Sequence, residues 1–166
     1  YMVEGHHLYG YMRIKHLREY SKPFYKKWSD QIYNKIIEYF ELDKNTRIKH
    51  LSRSQKAQVN LAVALSFAPE LLILDDPMLG LDTSVRREFL EAIIEVIQRD
   101  GRTVLFSSHI LNEVEQISDY IGIIEKGKLI VDCPQNVLQE KIKRVRIECA
   151  SEASPDFSFL SQNLIS

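Results

Sequence analysis

The segment LLILDDP, residues 71–77, constrains the fold of this chain more than any other part of its sequence. Four consecutive aliphatic residues predict a strand buried on both faces, as in a parallel sheet covered by helices. Asp75 and Asp76 follow directly, so two carboxylates stand at the carboxyl end of that strand. Ligand sites in open parallel sheets form at this edge. The segment therefore predicts an α/β fold with a polar site beside Asp75.

Apolar residues at helical spacing dominate the chain before this strand. Residues 8–42 show this spacing, and the sequence SKP at 21–23 is expected to separate two helices. A third helix is expected to begin after Leu51, with Ser52 as its N-cap, and to end at Pro69. The apolar positions of the first two helices are Ile14, Leu17, Tyr20, Ile32, Ile36, Tyr39 and Phe40.

Strands and helices alternate in the second half of the chain. A helix capped by Asp82 or Thr83 is expected to end before Gly101, and Thr103–Phe106 predicts a second buried strand. The remaining expected elements are a short helix over 111–117 with Asn112 and Glu113 exposed, strands over 120–124 and 128–131 joined by a tight turn, and a helix over 134–141.

A second polar cluster, SSH at residues 107–109, follows the second buried strand. Since the carboxyl ends of parallel strands meet at one edge, His109 is expected near Asp75 and Asp76. A carboxylate at a strand end suits Mg²⁺ beside a nucleotide, and a neighbouring acid can orient an attacking water. Taken singly, each residue also fits a structural role, because Asp-Asp-Pro forms turns and a lone histidine often caps a helix.

Composition excludes a membrane span and leaves two readings of the charge distribution. Hydrophobic residues make up 45% and charged residues 27% of the 166, as in soluble globular domains. The longest apolar runs fall well short of the roughly 18 residues that a span needs. Residues 1–60 carry 12 Lys and Arg against 6 Asp and Glu, and residues 61–166 carry 10 against 17. The basic half is either a solvated helical face or a surface attracted to an anionic partner.

In combination, these segments resemble the ATP-binding subunits of ABC transporters. LSRSQ at 51–55 resembles the signature LSGGQ, and LLILDDP resembles the Walker B strand. LGLD at 79–82 matches the D-loop, and SSH matches the switch histidine. KGK at 126–128 followed by CPQ at 133–135 resembles the segment after the switch. The resemblance covers residues 1–141.

The resemblance implies a fold class and a division of the chain. The expected fold is a partial P-loop NTPase core of the ABC ATPase type, with parallel strands, preceded by an α-helical subdomain. Residues 1–66 would hold the end of the Q-loop region, the helical subdomain and the signature helix. Residues 67–142 would form the C-terminal part of the ATPase core, and residues 143–166 a tail or the start of an accessory region.

The resemblance also implies roles for particular residues in ATP hydrolysis. Asp75 would hold Mg²⁺ through water, Asp76 would stand at the position of the catalytic glutamate, and His109 would contact the γ-phosphate. Across a dimer, the signature residues would reach the partner's nucleotide, and Asp82 would shape the dimer contact. These signature residues are Ser52, Arg53, Ser54 and Gln55, and Glu4 falls at the Q-loop position.

The partners implied by the resemblance are transmembrane permease subunits on separate chains and a second nucleotide-binding domain, identical or different. The cofactors would be ATP and Mg²⁺. The expected location is the cytoplasmic face of a membrane, and no nucleic-acid partner is expected.

Three departures from the family pattern qualify these expectations. The chain contains no G-x-x-x-x-G-K-[ST] phosphate cradle, which is expected before Tyr1 in a longer parent, so this piece alone is expected to bind ATP poorly. Asp76 replaces glutamate, which shortens the reach of the acid. Ser54 replaces a glycine that lets backbone approach phosphate closely.

Two other readings stay open. One is an ABC-type ATPase that acts in DNA repair or on the ribosome rather than in transport. The other is a degenerate, non-hydrolysing regulatory subunit, which Ser54 and Asp76 favour.

Overall fold

A computed structural model of the protein describes residues 2–3 and 8–141. The chain divides into two compact units, Tyr1–Ser118 and Asp119–Ser166. The elements of the first unit are β1 (Met2–Val3), α1 (Ile14–Ser21), α2 (Asp30–Tyr39), α3 (Arg53–Ser66), β2 (Leu71–Asp75), α4 (Thr83–Asp100), β3 (Thr103–Phe106) and α5 (Leu111–Ile117). Those of the second unit are β4 (Tyr120–Glu125), β5 (Lys128–Pro134) and α6 (Gln135–Lys141).

The strands of the first unit form a three-stranded parallel sheet in the order β1-β2-β3. Leu71 pairs with Thr103 and Leu74 with Phe106, so β2 and β3 run in register and end together. The predicted α/β fold with parallel strands is confirmed. Its consequence is that the residues after β2 and those after β3 meet at one edge of the sheet.

One face of this sheet is covered and the other is open, which corrects the prediction of strands buried on both faces. Leu72 and Leu74 are each 1% exposed, whereas Leu71 is 50% and Leu105 is 60% exposed. Side chains alternate between faces along a strand, and the helices of the described part cover only the face that carries Leu72 and Leu74. A continuous apolar run therefore did not mean burial on both sides here.

Helices α1 and α2 and the short 3₁₀ turn at Lys22–Phe24 confirm the predicted break between two helices. The helices are tied together by the buried Tyr33, whose hydroxyl donates to the carbonyl of Ile14 at 2.9 Å. Ile36 and Leu17 are buried as the spacing predicts. Two tyrosines counted on that apolar face are instead exposed. Tyr20 is 44% and Tyr39 is 45% exposed, and the Tyr39 hydroxyl donates to the Glu91 carboxylate at 2.9 Å.

Helix α3 starts as predicted, with Ser52 as N-cap, and its apolar side enters the core between the helices and the sheet. Helix α4 also follows its prediction, because the carbonyl of Asp82 accepts from the amide of Arg86 and Gly101, at φ +61°, follows the last turn. Glu113 in α5 contradicts its prediction. It was expected to be exposed and is 6% exposed, since its carboxylate is paired inside the protein.

The second unit contains a two-stranded antiparallel hairpin followed by α6. Lys126 and Gly127 both have positive φ, +50° and +77°, as a tight two-residue hairpin turn requires. The predicted turn and strands are confirmed, and β5 extends further, to Pro134. Glu4 and the predicted tail, 143–166, lie outside the described residues. Across the described residues, no helix is both long and apolar enough to cross a membrane.

Candidate active site

Ser107 joins the ends of β2 and β3. Its amide donates to the carbonyl of Leu74 at 2.9 Å, which extends the sheet pairing by one step. Its hydroxyl donates to Oδ1 of Asp75 at 2.8 Å and accepts from the amide of Asp76 at 2.8 Å. One serine therefore sets the position of both carboxylate residues. Sequence reasoning quoted Ser107 only as part of the switch motif and missed this contact.

The backbone at Asp76 is in the left-handed region, with φ +39°. Such a conformation costs a residue with a side chain roughly 1–3 kcal/mol, and surrounding contacts must hold it in place. Ser107 supplies one such contact through the Asp76 amide. Aspartate tolerates this region better than most residues. The chain thus turns sharply at the end of β2, and the turn orients the Asp76 carboxylate.

His109 lies against that carboxylate. Its Nδ1 is 3.0 Å from Oδ2 of Asp76, which orients the imidazole ring and leaves Nε2 as the nitrogen for a ligand. The His109 side chain is 59% exposed and that of Asp76 is 27% exposed, so both reach solvent. With Nδ1–H donating to the carboxylate, Nε2 accepts a hydrogen bond in the neutral ring and donates one in the imidazolium. The pair can therefore hold and move a proton at a polar group bound beside it.

Asp75 fits one part of a magnesium site. It is exposed, and the Ser107 hydroxyl engages one of its oxygens. Magnesium usually binds one or two carboxylates together with waters and substrate phosphates. No cluster of three metal-ligating side chains occurs in the part of the chain that the structure describes. The Asp75 carboxylate therefore fits an ion that a nucleotide brings with it.

The signature residues form a second group at the start of α3. Ser52 and Gln55 make a capping box, in which the Gln55 amide donates to Ser52 Oγ at 3.1 Å and the Ser52 amide donates to Gln55 Oε1 at 3.0 Å. Ser54 lies in the first turn and is partly exposed. The Gln55 side chain, predicted to bind nucleotide across a dimer, is thus also needed to cap the helix.

Arg53 connects this group to the loop after β2. A Cβ built on Gly80 would lie 2.6 Å from Nη1 and 2.7 Å from Cζ of Arg53, so the guanidinium rests directly on the Gly80 backbone. Gly80 has φ +73°, and Asp82 follows, exposed, at the start of α4. The signature segment and the 79–82 loop therefore touch within one chain. The sequence showed both motifs but not this contact.

Similarities to known proteins show the family to which this chain belongs. The family model described as "AAA domain, putative AbiEii toxin, Type IV TA system" matches residues 8–115. The lantibiotic transport ATP-binding protein SrtF of Streptococcus pyogenes is 44% identical over 85 residues, which are 51% of this chain and 37% of that protein. The bacitracin transport ATP-binding protein BcrA of Bacillus licheniformis is 34% identical over 113 residues, 67% of this chain and 37% of that protein.

Solved structures show the same fold. One described as the ATP binding subunit of an ABC transporter superposes with a TM-score of 0.70 at 22% identity, and the match covers 84% of this chain and 60% of that one. The fold and the similarities define the class as a nucleotide-binding domain of the ABC transporter type. The chain belongs to the AAA-domain family that the matching model describes. It spans just over a third of the length of the two relatives named above.

Proposed function

We propose that the intact protein is the ATP-hydrolysing subunit that powers an ABC transporter. The observation that carries this proposal is the cluster at the sheet edge, where Asp76 and His109 are 3.0 Å apart and Ser107 holds Asp75 beside them. Two acids and an exposed imidazole at the ends of parallel strands suit phosphoryl transfer to water. The relatives, which are named as transport ATP-binding proteins, favour a transporter over repair or ribosomal ATPases.

Each member of the cluster has a distinct proposed role. Asp75 holds a water of the Mg²⁺ that arrives with ATP. Asp76 orients the attacking water and accepts its proton, and His109 contacts the γ-phosphate through Nε2. When bound, Mg²⁺ neutralises charge that develops on the phosphate oxygens. The Asp76–His109 hydrogen bond supports this division, because it aims Nε2 away from the acid.

The remaining predicted residues belong to contacts with other chains. In a dimer of nucleotide-binding domains, Ser52, Arg53 and Ser54 face the partner's nucleotide, with Gln55 bracing the helix start, and Asp82 contributes to the dimer contact. Helix N-termini favour anions, which supports the role of α3. Residues 8–50 dock on the transmembrane permease at the cytoplasmic face. Glu4 occupies the Q-loop position in the same proposal.

Two expectations about the isolated chain follow from the missing phosphate cradle. The proposed ATPase needs a G-x-x-x-x-G-K-[ST] segment, which residues 1–166 do not contain. Without its amides and lysine, the present residues bind ATP weakly and do not turn it over. The fragment is therefore expected to be inactive by itself, while the parent is an ATPase.

Single-turnover ATP hydrolysis by the parent protein tests the function and the role of Asp76. We expect Asp76→Glu to speed hydrolysis, because the longer side chain reaches the attacking water better. We expect Asp76→Asn and His109→Gln to slow hydrolysis by about 10²-fold or more, the order of magnitude typical of lost acid–base groups. The exposed Asp119, just before β4, provides the matched control, because Asp119→Glu makes the same change in size outside the site.

The outcomes separate the readings. Unchanged or slower hydrolysis in Asp76→Glu contradicts the proposed shortfall in reach. ATP binding without turnover in the wild-type parent identifies the non-hydrolysing regulatory subunit instead. Turnover that needs DNA or ribosomes, and not a permease, identifies a non-transport ATPase.

A further inference from the structure

Glu113 is a buried acid that the proposed mechanism does not use. Its side chain is only 7% exposed, and burying a carboxylate is costly unless it is paired and hydrogen-bonded. Its partners are Arg86 in α4 and Ser108, which lies just before α5. Oε1 faces Nη1 of Arg86 at 3.4 Å, and Oε2 accepts from the hydroxyl of Ser108 in a short hydrogen bond.

Arg86 reaches from Glu113 to the 79–82 loop. Its Nε donates to the carbonyl of Leu81 at 2.8 Å while its Nη1 faces the Glu113 carboxylate. A guanidinium can make both contacts at once because its donors point in fixed, different directions. The 79–82 loop is therefore bound to α5 through a single side chain that is itself partly buried, at 27% exposed.

Ser108 carries the connection into the switch segment. Its hydroxyl donates to Glu113 and accepts from the amide of Ile110 at 3.1 Å. The preceding serine, Ser107, is held by Asp75 and by the amide of Asp76. His109 thus directly follows two serines whose hydroxyls are both engaged, Ser107 with Asp75 and Ser108 with the buried Glu113.

We propose that Arg86 and Glu113 are positioning residues that couple the 79–82 loop to His109. The path runs from the Leu81 carbonyl through Arg86, Glu113 and Ser108 to the histidine. A displacement of the loop, such as contact with a second nucleotide-binding domain would cause, changes where His109 sits relative to Asp76. The catalytic consequence rests on the proposed ATPase function, whereas the coupling itself is a property of this chain.

Two conservative variants test the coupling at its two ends. Arg86→Lys keeps the charge but cannot satisfy Leu81 and Glu113 together. Ser108→Ala removes the hydroxyl that joins Glu113 to the switch segment. Ser118→Ala is the matched control, since its hydroxyl donates to the Val114 carbonyl at the other end of α5 and takes no part in the path.

The first readout is the ¹⁵N spectrum of the His109 ring in the histidine-labelled chain, with its signals identified by their loss in His109→Gln. We expect Arg86→Lys and Ser108→Ala to shift the Nδ1 signal and Ser118→Ala to leave it in place. The second readout is ATP turnover by the parent protein. There the two variants should lower kcat between roughly 10- and 100-fold, as expected when a reacting group is misplaced by a fraction of an ångström to an ångström.

A positioning role also predicts that KM for ATP stays within about two-fold of wild type, because binding groups are untouched. Wild-type His109 signals in Arg86→Lys would overturn the coupling, as would an equal shift in Ser118→Ala, which would show that α5 had merely loosened. If the parent shows no ATP turnover, the proposed function fails, and the His109 spectrum still decides the coupling.

Discussion

Replacing Gly80 by alanine tests whether Arg53 really rests on the 79–82 loop. At φ +73° an alanine is strained by about 1–2 kcal/mol. Its new Cβ would also stand 2.6 Å from Nη1 of Arg53, closer than side-chain carbons come to other atoms, so the guanidinium must move away. Losing the contact with Arg53 adds about 0.5–1 kcal/mol to the destabilisation. This value is at the low end of the interaction energies of contacting residues, because Arg53 is exposed. The expected total for Gly80→Ala is therefore about 1.5–3 kcal/mol of lost stability.

Gly101 provides the matched control, because it has φ +61° and a Cβ there would meet nothing within 4 Å. Gly101→Ala therefore carries only the backbone strain. The assay is urea unfolding followed by the fluorescence of Trp28, which is the single tryptophan and lies in the same unit as both glycines. Arg53→Ala combined with Gly80→Ala removes the steric part, so the double variant should lose less than the two single variants added together.

Two results would refute this reasoning. Equal destabilisation by Gly80→Ala and Gly101→Ala would mean that no side chain lies over Gly80. Strict additivity of Arg53→Ala and Gly80→Ala would mean that the two residues do not interact.

Three further predictions concern the helical part of the first unit. Tyr33→Phe removes the hydrogen bond from the buried hydroxyl to the Ile14 carbonyl and should cost about 0.5–1.5 kcal/mol in urea unfolding, with Tyr11→Phe, at a 70% exposed tyrosine, as a neutral control. Ser29→Ala removes the N-cap of α2 and should cost about 1 kcal/mol, whereas Ser29→Gly should cost only a few tenths. The hydrogen bond from Lys22 lowers the pKa of Asp30 below its ordinary value of 3.8. Because the pair is exposed, it contributes less than about 1 kcal/mol to the stability of the fold. Because the pKa of Asp30 is lowered on folding, this contribution is complete above pH 4 and is lost as the pH falls through the folded-state pKa. Asp30→Asn should accordingly lower Tm at pH 7, and the difference from wild type should shrink at pH 3; a constant difference would contradict the ion pair.

Local signals in the sequence determined where most elements begin and end. SKP separates α1 from α2, Ser52 caps α3, and Gly127 permits the hairpin turn, because each choice depends on the backbone preferences of a few adjacent residues. The meeting of Asp76 with His109, 33 residues apart, was also predictable. Adjacent parallel strands of equal register bring their carboxyl ends together, so the polar clusters that follow β2 and β3 are neighbours.

Only the tertiary structure decided which partners the polar side chains choose. A helical period assigns Glu113 to a face of α5, but it does not reveal that Arg86 and Ser108 lie beside that face and pair with its carboxylate. The contact of the Arg53 guanidinium with the Gly80 backbone could not be read from a local pattern either. Periodicity reports on neighbours within one element, whereas these contacts depend on how separate elements pack.

The exposure of one face of the sheet also depends on how separate elements pack. LLIL determined that residues 71–74 form a strand, because four aliphatic side chains suit a pleated, buried surface. Whether each side chain is covered depends on the layers packed against the sheet, and in the described chain Leu72 is covered while Leu71 is not. A strand is a local property of the sequence, but its burial is a property of the whole assembly of elements around it.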